Sequence, residues 1–396
     1  IELFGELGWQ TAILFYEDHG SGSAEGRSSQ KEAFLPKRLR KALQHLNPEL
    51  PEQALDQAID ELTRDRSSML PVAANQEVYA LLKEGVPVKV KNKKGEQVTE
   101  RARFIDWRKP ENNDFFLASQ VWFKGELYQR RCDLVGFVNG IPLVLIELKA
   151  LQVPVKDAYD GNLSDYRAAI PQVFVPNAFV ILSNGAETEV GAAFSSWEHF
   201  FEWKRLEDEG EEGAVSLETA IRGLCTKERL LDYVENFIVF EAERGGLVKK
   251  PAKNHQYLGV NNAISAVQGL KENRGRLGVF WHTQGSGKSL SMVYFAQKVL
   301  RTMPGDWSFV IVTDRQELDE QIAKTFAAVG ALGKEIEQVQ AQTRDHLKEL
   351  LKGNERYVFT LIHKFGTARG EQFPQLSPRS DVIVMTDEAH RSQYDI

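Results

Sequence analysis

Two segments carry residues spaced for nucleotide chemistry. In His282-Thr283-Gln284-Gly285-Ser286-Gly287-Lys288-Ser289 a Gly-rich turn is closed by a Lys and a hydroxyl. The backbone N–H groups of such a turn face phosphate oxygens, and Lys288 adds positive charge at the terminal phosphates. Ser289 and a downstream acid then hold Mg²⁺ between the β- and γ-phosphates of ATP. That acid is Asp387, 99 positions on (387 − 288), in Asp387-Glu388-Ala389-His390. Asp387 would contact the metal through water and Glu388 would orient the attacking water; His390 closes the tetrapeptide and is grouped with the nucleotide site. The general pattern G-x-x-x-x-G-K-[ST] fits at its end but has His282 in its first Gly position. The surroundings supply the missing context: Leu277, Val279 and Phe280 predict a short strand, and Leu290 to Leu300 an amphipathic helix opening at Ser289. A phosphate would then sit at a helix N-terminus. Asp381 to Thr386 is nearly continuous in apolar residues, as expected of a strand buried on both faces, with Asp387 and Glu388 at its C-terminal end.

A second constellation lies upstream. Asp133-Leu134-Val135-Gly136-Phe137-Val138-Asn139-Gly140-Ile141-Pro142-Leu143-Val144-Leu145-Ile146-Glu147-Leu148-Lys149 predicts two strands joined by a tight Asn-Gly turn. Glu147 and Lys149, two apart, share a strand face, and the hairpin brings Asp133 alongside. Two carboxylates suit a hard divalent cation such as Mg²⁺. Lys149 would position or deprotonate a water and offset charge developing on a phosphate. The plain alternative is a surface ion pair on an edge strand.

The order and wording of these motifs resemble a known family. Gly-Ser-Gly-Lys-Ser followed by Asp-Glu-Ala-His looks like a superfamily 2 helicase or translocase motor. Trp281 to Ser289, with its His in place of Gly, resembles the restriction (R) subunit of type I restriction-modification enzymes. Val310 to Arg315 and Phe359 to Phe365 resemble intermediate motor motifs that touch the DNA backbone. His255-Gln256-Tyr257 resembles an upstream glutamine element, which implies adenine recognition by Gln256. Asp133, Glu147 and Lys149 resemble the PD-(D/E)xK nuclease signature, with Cys132 where the Pro is usual. Family members carry Q-x-x-x-Y on the following helix; Asn162-Leu163-Ser164-Asp165-Tyr166 is a partial match, with an amide one methylene shorter at Asn162. Phe179 to Gly185 reads as a strand and turn and also resembles the family. The resemblance implies an ATP-driven pump of double-stranded DNA that cuts with Mg²⁺ and works with methyltransferase (M) and specificity (S) subunits. It further implies that the chain holds the nuclease domain and most of the first motor lobe, too little for efficient ATP turnover.

The composition is that of a globular chain, 42% hydrophobic and 27% charged. No apolar run approaches the length of a membrane span. Cys132 and Cys225 are far apart and form no metal-spaced cluster, pointing to a reducing, cytoplasmic setting. The net charge of −7 does not advertise a nucleic-acid binder. Basic clusters at Lys37 to Lys41, Lys89 to Lys94, Arg130-Arg131 and Lys249-Lys250 read first as solvated faces, as does Lys204.

These signals predict an α/β chain: a mixed-sheet nuclease domain over 1–205, an acidic linker and connecting helix over 206–250, and a RecA-like parallel-sheet lobe over 251–396. Leu39, Leu43, Leu46, Leu50, Leu55, Ile59 and Leu62 fall in early helices broken at Pro48 and Pro51. Leu217 to Glu243 predicts one amphipathic helix ending at Gly245-Gly246. Two other functions fit the same motifs: a stand-alone helicase-nuclease, and a non-cutting DNA-binding or assembly module.

Overall fold

The computed structural model describes residues 1–92, 94–283, 285–366 and 375–387. The strands are β1 (Gln10–Ile13), β2 (Val86–Lys91), β3 (Gln97–Ala102), β4 (Phe115–Lys124), β5 (Gln129–Val138), β6 (Ile141–Leu148), β7 (Phe179–Ser183), β8 (Thr188–Gly191), β9 (Ile238–Glu243), β10 (Gly246–Pro251), β11 (Ser308–Thr313), β12 (Tyr357–Leu361) and β13 (Val382–Thr386). The chain divides into two compact units, residues 1–239 with 247–254, and 240–246 with 255–396.

The first unit is built on a mixed sheet in the order β1-β4-β5-β6-β7-β8. β4, β5 and β6 are antiparallel neighbours, while β1 pairs parallel to β4 and β7 parallel to β6. The β5–β6 turn is Asn139-Gly140, with φ of 53° and 76°, as the two-residue hairpin geometry demands. One sheet face packs on a helical stretch that runs through Val155–Asp157, a π-helical turn at Ala158–Leu163, and Ser164–Ala169. Phe116, Phe123, Phe137, Leu145, Leu163 and Ile170 meet in that core. The early helices form at Pro36–Leu46 and Glu52–Thr63, leaving Leu50 in the connection.

The region expected to be one helix from Leu217 to Glu243 is three elements: helices Leu217–Leu224 and Lys227–Asn236, then β9. Phe237 to Phe240 is β-branched and aromatic, and Gly245-Gly246 turns it into β10, so strand geometry wins over helical periodicity. The acidic stretch beginning at Glu207 is tied down: Glu211 accepts from the backbone N–H groups of Leu206, Glu207 and Asp208, and Glu207 pairs with Arg229 at 2.6 Å.

The second unit holds a parallel sheet in the order β12-β11-β13. The strand expected at Leu277 to Phe280 does not form. Gly278 sits at φ 111°, no ladder partner among the described residues engages the segment, and Val279 and Trp281 are both 86% exposed. A three-residue apolar run without a pairing edge has nothing to satisfy its backbone groups as a strand. β13 is also not buried on both faces, since Val384 is 59% exposed; it is an edge strand of the described sheet, paired only to β11. Among the described residues no helix is long and apolar enough to cross a membrane.

Candidate active site

In the first unit the hairpin register decides which side chains meet. Gly136 pairs with Val144, but Phe137 pairs with Pro142, so Leu143 is an extra residue in β6. The shift continues through Leu134 opposite Ile146. One step further puts Asp133 level with Glu147; without the bulge it would stand level with Ile146, and a one-residue slip reverses the faces. A second irregularity lies at the same level. Gln120 has φ 56°, and Ala118 and Val121 both face the core although they are three apart. The left-handed residue reverses the pleat and leaves the Gln120 amide beside Asp133.

The contacts follow. Leu148 N donates to Asp133 Oδ2 at 3.0 Å, and Gln120 Nε2 reaches Asp133 Oδ1 at 3.4 Å. Glu147, 3% exposed, accepts from Tyr166 OH at 3.1 Å and from Asn162 Nδ2. Asn162 Oδ1 in turn accepts from Lys149 Nζ. Lys149 follows β6 and is anchored through its N–H to Ser183 O at 2.8 Å. The helix therefore presents Asn162 and Tyr166, four apart, to one carboxylate. The short amide at Asn162 reaches both the acid and the lysine, and it does so from the π-helical turn, a feature that recurs at functional sites.

The electrostatics fit a cation. Burial and the neighbouring charge of Asp133 push the Glu147 carboxyl up to about 7, against smaller opposing effects from Tyr166, Lys149 and Asn162. A buried carboxylate beside a second, partly exposed one is disfavoured as an anion unless a proton or a cation lies with them. Each Glu147 oxygen accepts one hydrogen bond and keeps a second lone pair. Mg²⁺ is commonly held by one or two carboxylates, with water and substrate phosphate completing the shell, so this donor set suits it. Among the described residues no group of three His, Cys, Asp or Glu side chains gathers to hold a metal, at this site or another, so the protein would supply two carboxylates here. Cys132 and Cys225 are buried and unbonded. Lys204 pairs with Glu202 at 2.5 Å on the surface.

In the second unit the Gly-rich loop leads into the helix Lys288–Thr302, one residue before the expected opening. Gly285 and Gly287 have φ of 79° and 87°, a conformation that favours Gly at both positions, and the Gln256 amide packs against Gly287. Gln256 Nε2 donates to Gly287 O at 3.0 Å, and the His255 ring lies 3.0 Å from Ser286 O. Lys288 Nζ folds back to His282 O at 3.4 Å. Ser286 Oγ is buried with no hydrogen-bond partner among the described residues. Thr283 precedes the turn and Ser289 lies in the first helical turn; Gln284 lies outside the described residues. Asp387 directly follows β13, its N–H donating to Val312 O at 2.9 Å. Glu388 and His390 lie outside the described residues. Asp314 and Arg315, His363 and Lys364, and Asp387 all follow the C-terminal ends of the three parallel strands, the edge where such sheets bind ligands.

Sequence reasoning missed Gln120 and the backbone N–H of Leu148 as partners of Asp133. Gln120 was detectable as the polar interruption in Phe-Phe-Leu-Ala-Ser-Gln-Val-Trp-Phe; nothing in the residues announces which way the Leu148 N–H points.

Known proteins share both units. Residues 1–199 match the family described as type I restriction enzyme R protein N terminus, and residues 255–396 match SWI2/SNF2 ATPase. The type I restriction enzyme HindI endonuclease subunit of Haemophilus influenzae is 38% identical over 373 residues, covering 90% of this chain and 35% of the relative. The putative type I restriction enzyme MjaIXP endonuclease subunit of Methanocaldococcus jannaschii is 30% identical over 401 residues, covering 93% and 37%. The chain thus spans about a third of the length of these relatives. With half of its residues inside the first family and an ATPase match following in the same chain, it belongs to the type I restriction enzyme R protein family.

Proposed function

We propose that the first unit is a Mg²⁺-dependent PD-(D/E)xK nuclease and the second the first RecA-like lobe of an ATP-driven translocase, together serving a type I restriction enzyme that cuts double-stranded DNA. The observation that carries this reading is the Asp133–Glu147–Asn162–Lys149 cluster with its elevated Glu147. Asp133 and Glu147 would hold the ion, whose bound chemistry is charge stabilisation at a phosphate and activation of water. Tyr166 and Asn162 fix the Glu147 carboxylate. Asn162 also holds the Lys149 ammonium beside the acids, where it orients a water and offsets negative charge on the phosphate. Thr283, Gln284, Gly285, Ser286, Gly287, Lys288 and Ser289 would cradle ATP phosphates, Ser289 and Asp387 would hold the second Mg²⁺ site, and Glu388 and His390 would complete it, with Gln256 beside the loop. M and S subunits would supply modification and recognition of the DNA site; the relatives' names as endonuclease subunits are in keeping with an enzyme of several subunits.

The test is plasmid cleavage by the full-length subunit assembled with its methyltransferase and specificity partners on unmethylated DNA. Asp133→Ala is expected to abolish cutting while ATP hydrolysis continues, and Lys288→Ala to abolish ATP hydrolysis. Undiminished cutting by Asp133→Ala would refute the nuclease assignment. A non-cutting module is the outcome if the parent enzyme also leaves DNA intact.

A further inference from the structure

Phe15 and Tyr16 are the central residues of a turn closed by Glu17 N to Leu14 O at 3.3 Å. Such positions favour Gly, Asn, Asp and Pro. Here two aromatic rings occupy them, edge to face with centroids 4.6 Å apart, and Tyr16 is 89% exposed. The turn is firmly seated. Leu14 N donates to Ser119 O at 2.9 Å. Arg27, fully buried, bonds Glu17 Oε2 at 2.7 Å and Trp122 O at 2.9 Å. The rings are therefore presented by a rigid support and not by a loose tail.

Beside them Trp122 pairs in register with Arg131. The Arg131 guanidinium carbon lies 5.5 Å from the Phe15 ring centre and 5.7 Å from that of Trp122. Arg130 is taken by Asp165, whereas Arg131 has no carboxylate partner among the described residues. The ladder is continuous with the acidic site. Gln120 and Asp133 stand two residues further along the same two strands, about 7 Å at the usual strand rise. Tyr166 OH lies within hydrogen-bond distance of both Arg131 O, at 2.9 Å, and Glu147 Oε2, at 3.1 Å.

We propose that Tyr16, Phe15, Arg131 and Trp122 form a stacking platform for unpaired bases of the DNA strand whose phosphodiester enters the Asp133–Glu147 site. The inference rests on the nuclease reading and deepens it: the substrate taken is locally unwound DNA, not intact duplex. In a duplex each base has both faces covered by its neighbours, so a protruding aromatic ring stacks only on a base that has left the helix. An unpaired guanidinium among aromatic faces meets the adjoining phosphate charge, and binding on either side of a cleavage site is what would hold that phosphate in place. A protein partner would be served by the apolar rings but gives no reason for a free cation leading into a pair of acids.

Binding is measured in EDTA, where no metal-dependent cutting occurs, by fluorescence anisotropy of a labelled single strand, a blunt duplex of the same length, and that duplex carrying a short unpaired bubble. The single strand and bubble are expected to bind at least about tenfold more tightly than the blunt duplex. Tyr16→Ala should weaken binding of the unpaired probes by about tenfold and leave the duplex unchanged, while Tyr16→Phe, which keeps the ring, should behave as the parent. Trp122→Phe against Trp122→Ala repeats the comparison at a second position. Equal affinity for all three probes, or equal losses on duplex and single strand, overturns the proposal. So does a change of oligomeric state in Tyr16→Ala without loss of DNA binding, which would make this face a protein contact. The nuclease reading fails separately, if Asp133→Ala still cuts.

Discussion

At the residue scale the controlling fact is that Glu147 is a carboxyl whose surroundings disfavour its charge. Its ordinary value of 4.5 is pushed up to about 7 by burial and by Asp133. Between these values the folded chain keeps a proton that the unfolded chain has released, so metal-free stability must fall as pH rises through that window. The size is about 3 kcal/mol for a shift of this order. Urea denaturation at pH 5 and pH 8 in EDTA is expected to show the loss, and Glu147→Gln is expected to remove the share that belongs to this site, leaving that of Glu189, which burial and Glu202 also push up to about 7. Mg²⁺ added at pH 8 should restore stability to the parent, because a cation takes the place of the proton, and should do little for Glu147→Gln. A parent chain equally stable at both pH values would mean that the two acids do not share one desolvated site. The types of Asp133, Glu147 and Lys149 and the hairpin that carries them were legible in the sequence from the strand period and the Asn-Gly turn, but the extra residue at Leu143 that brings Asp133 level with Glu147 was not. The bridging amide was only half legible. Asn162 is shorter than the family's Gln, and its reach depends on a π-helical turn that no side-chain pattern announces.

At the element scale the hairpin matters more than any one of its side chains. Asn139 is fully buried; its side chain accepts from Asp114 N at 2.7 Å and donates to Phe104 O at 2.7 Å. Gly140 O accepts from Leu35 N at 2.8 Å. A Cβ on Gly140 would lie 2.6 Å from Leu35 O and 2.8 Å from Leu39 N, both backbone atoms, at a φ of 76°. Gly140→Ala is therefore expected to cost roughly 2 kcal/mol or more, read as a lowered urea midpoint. Because the turn and the extra residue at Leu143 together set the register that aligns Asp133 with Glu147, cutting should fall further than stability accounts for. An alanine variant with parent stability would show that the start of the helix Pro36–Leu46 can move aside. The turn itself was readable from Asn-Gly, but the extra residue at Leu143 and the pleat reversal at Gln120 were not: both lie inside apolar runs where either register buries the same kinds of side chain. The opposite error occurred at Leu277 to Phe280, where an apolar run was read as a strand although no edge pairs with it. The same cause misassigned Ile238 to Glu243, whose helical spacing yields to a β-hairpin.

At the scale of the whole molecule, a chain of net charge −7 with the proposed function would have to handle a polyanion locally. Order and wording of motifs along the chain revealed the family; bulk charge argued the other way, because a sum over 396 residues hides where cations stand. Several basic side chains are spent on internal pairs: Arg27 on Glu17, Arg38 on Glu25 and Asp114, and Arg130 on Asp165. Beside the aromatic platform Arg131 is left to displace counterions from DNA. The salt dependence of binding measures that number directly, since the slope of log K against log salt is about −0.7 per neutralised phosphate on a single strand. With Arg131 and one or two lysines in contact, the slope for single-stranded DNA is expected near −2, about a sixteenfold loss between 50 and 200 mM salt. Removing Arg131 by Arg131→Ala should make the slope shallower by about 0.7, whereas Tyr16→Ala should lower affinity at every salt concentration without changing the slope. A slope of −5 or steeper in the parent would mean that a broad cationic surface, and not a few cations beside an aromatic ladder, does the binding.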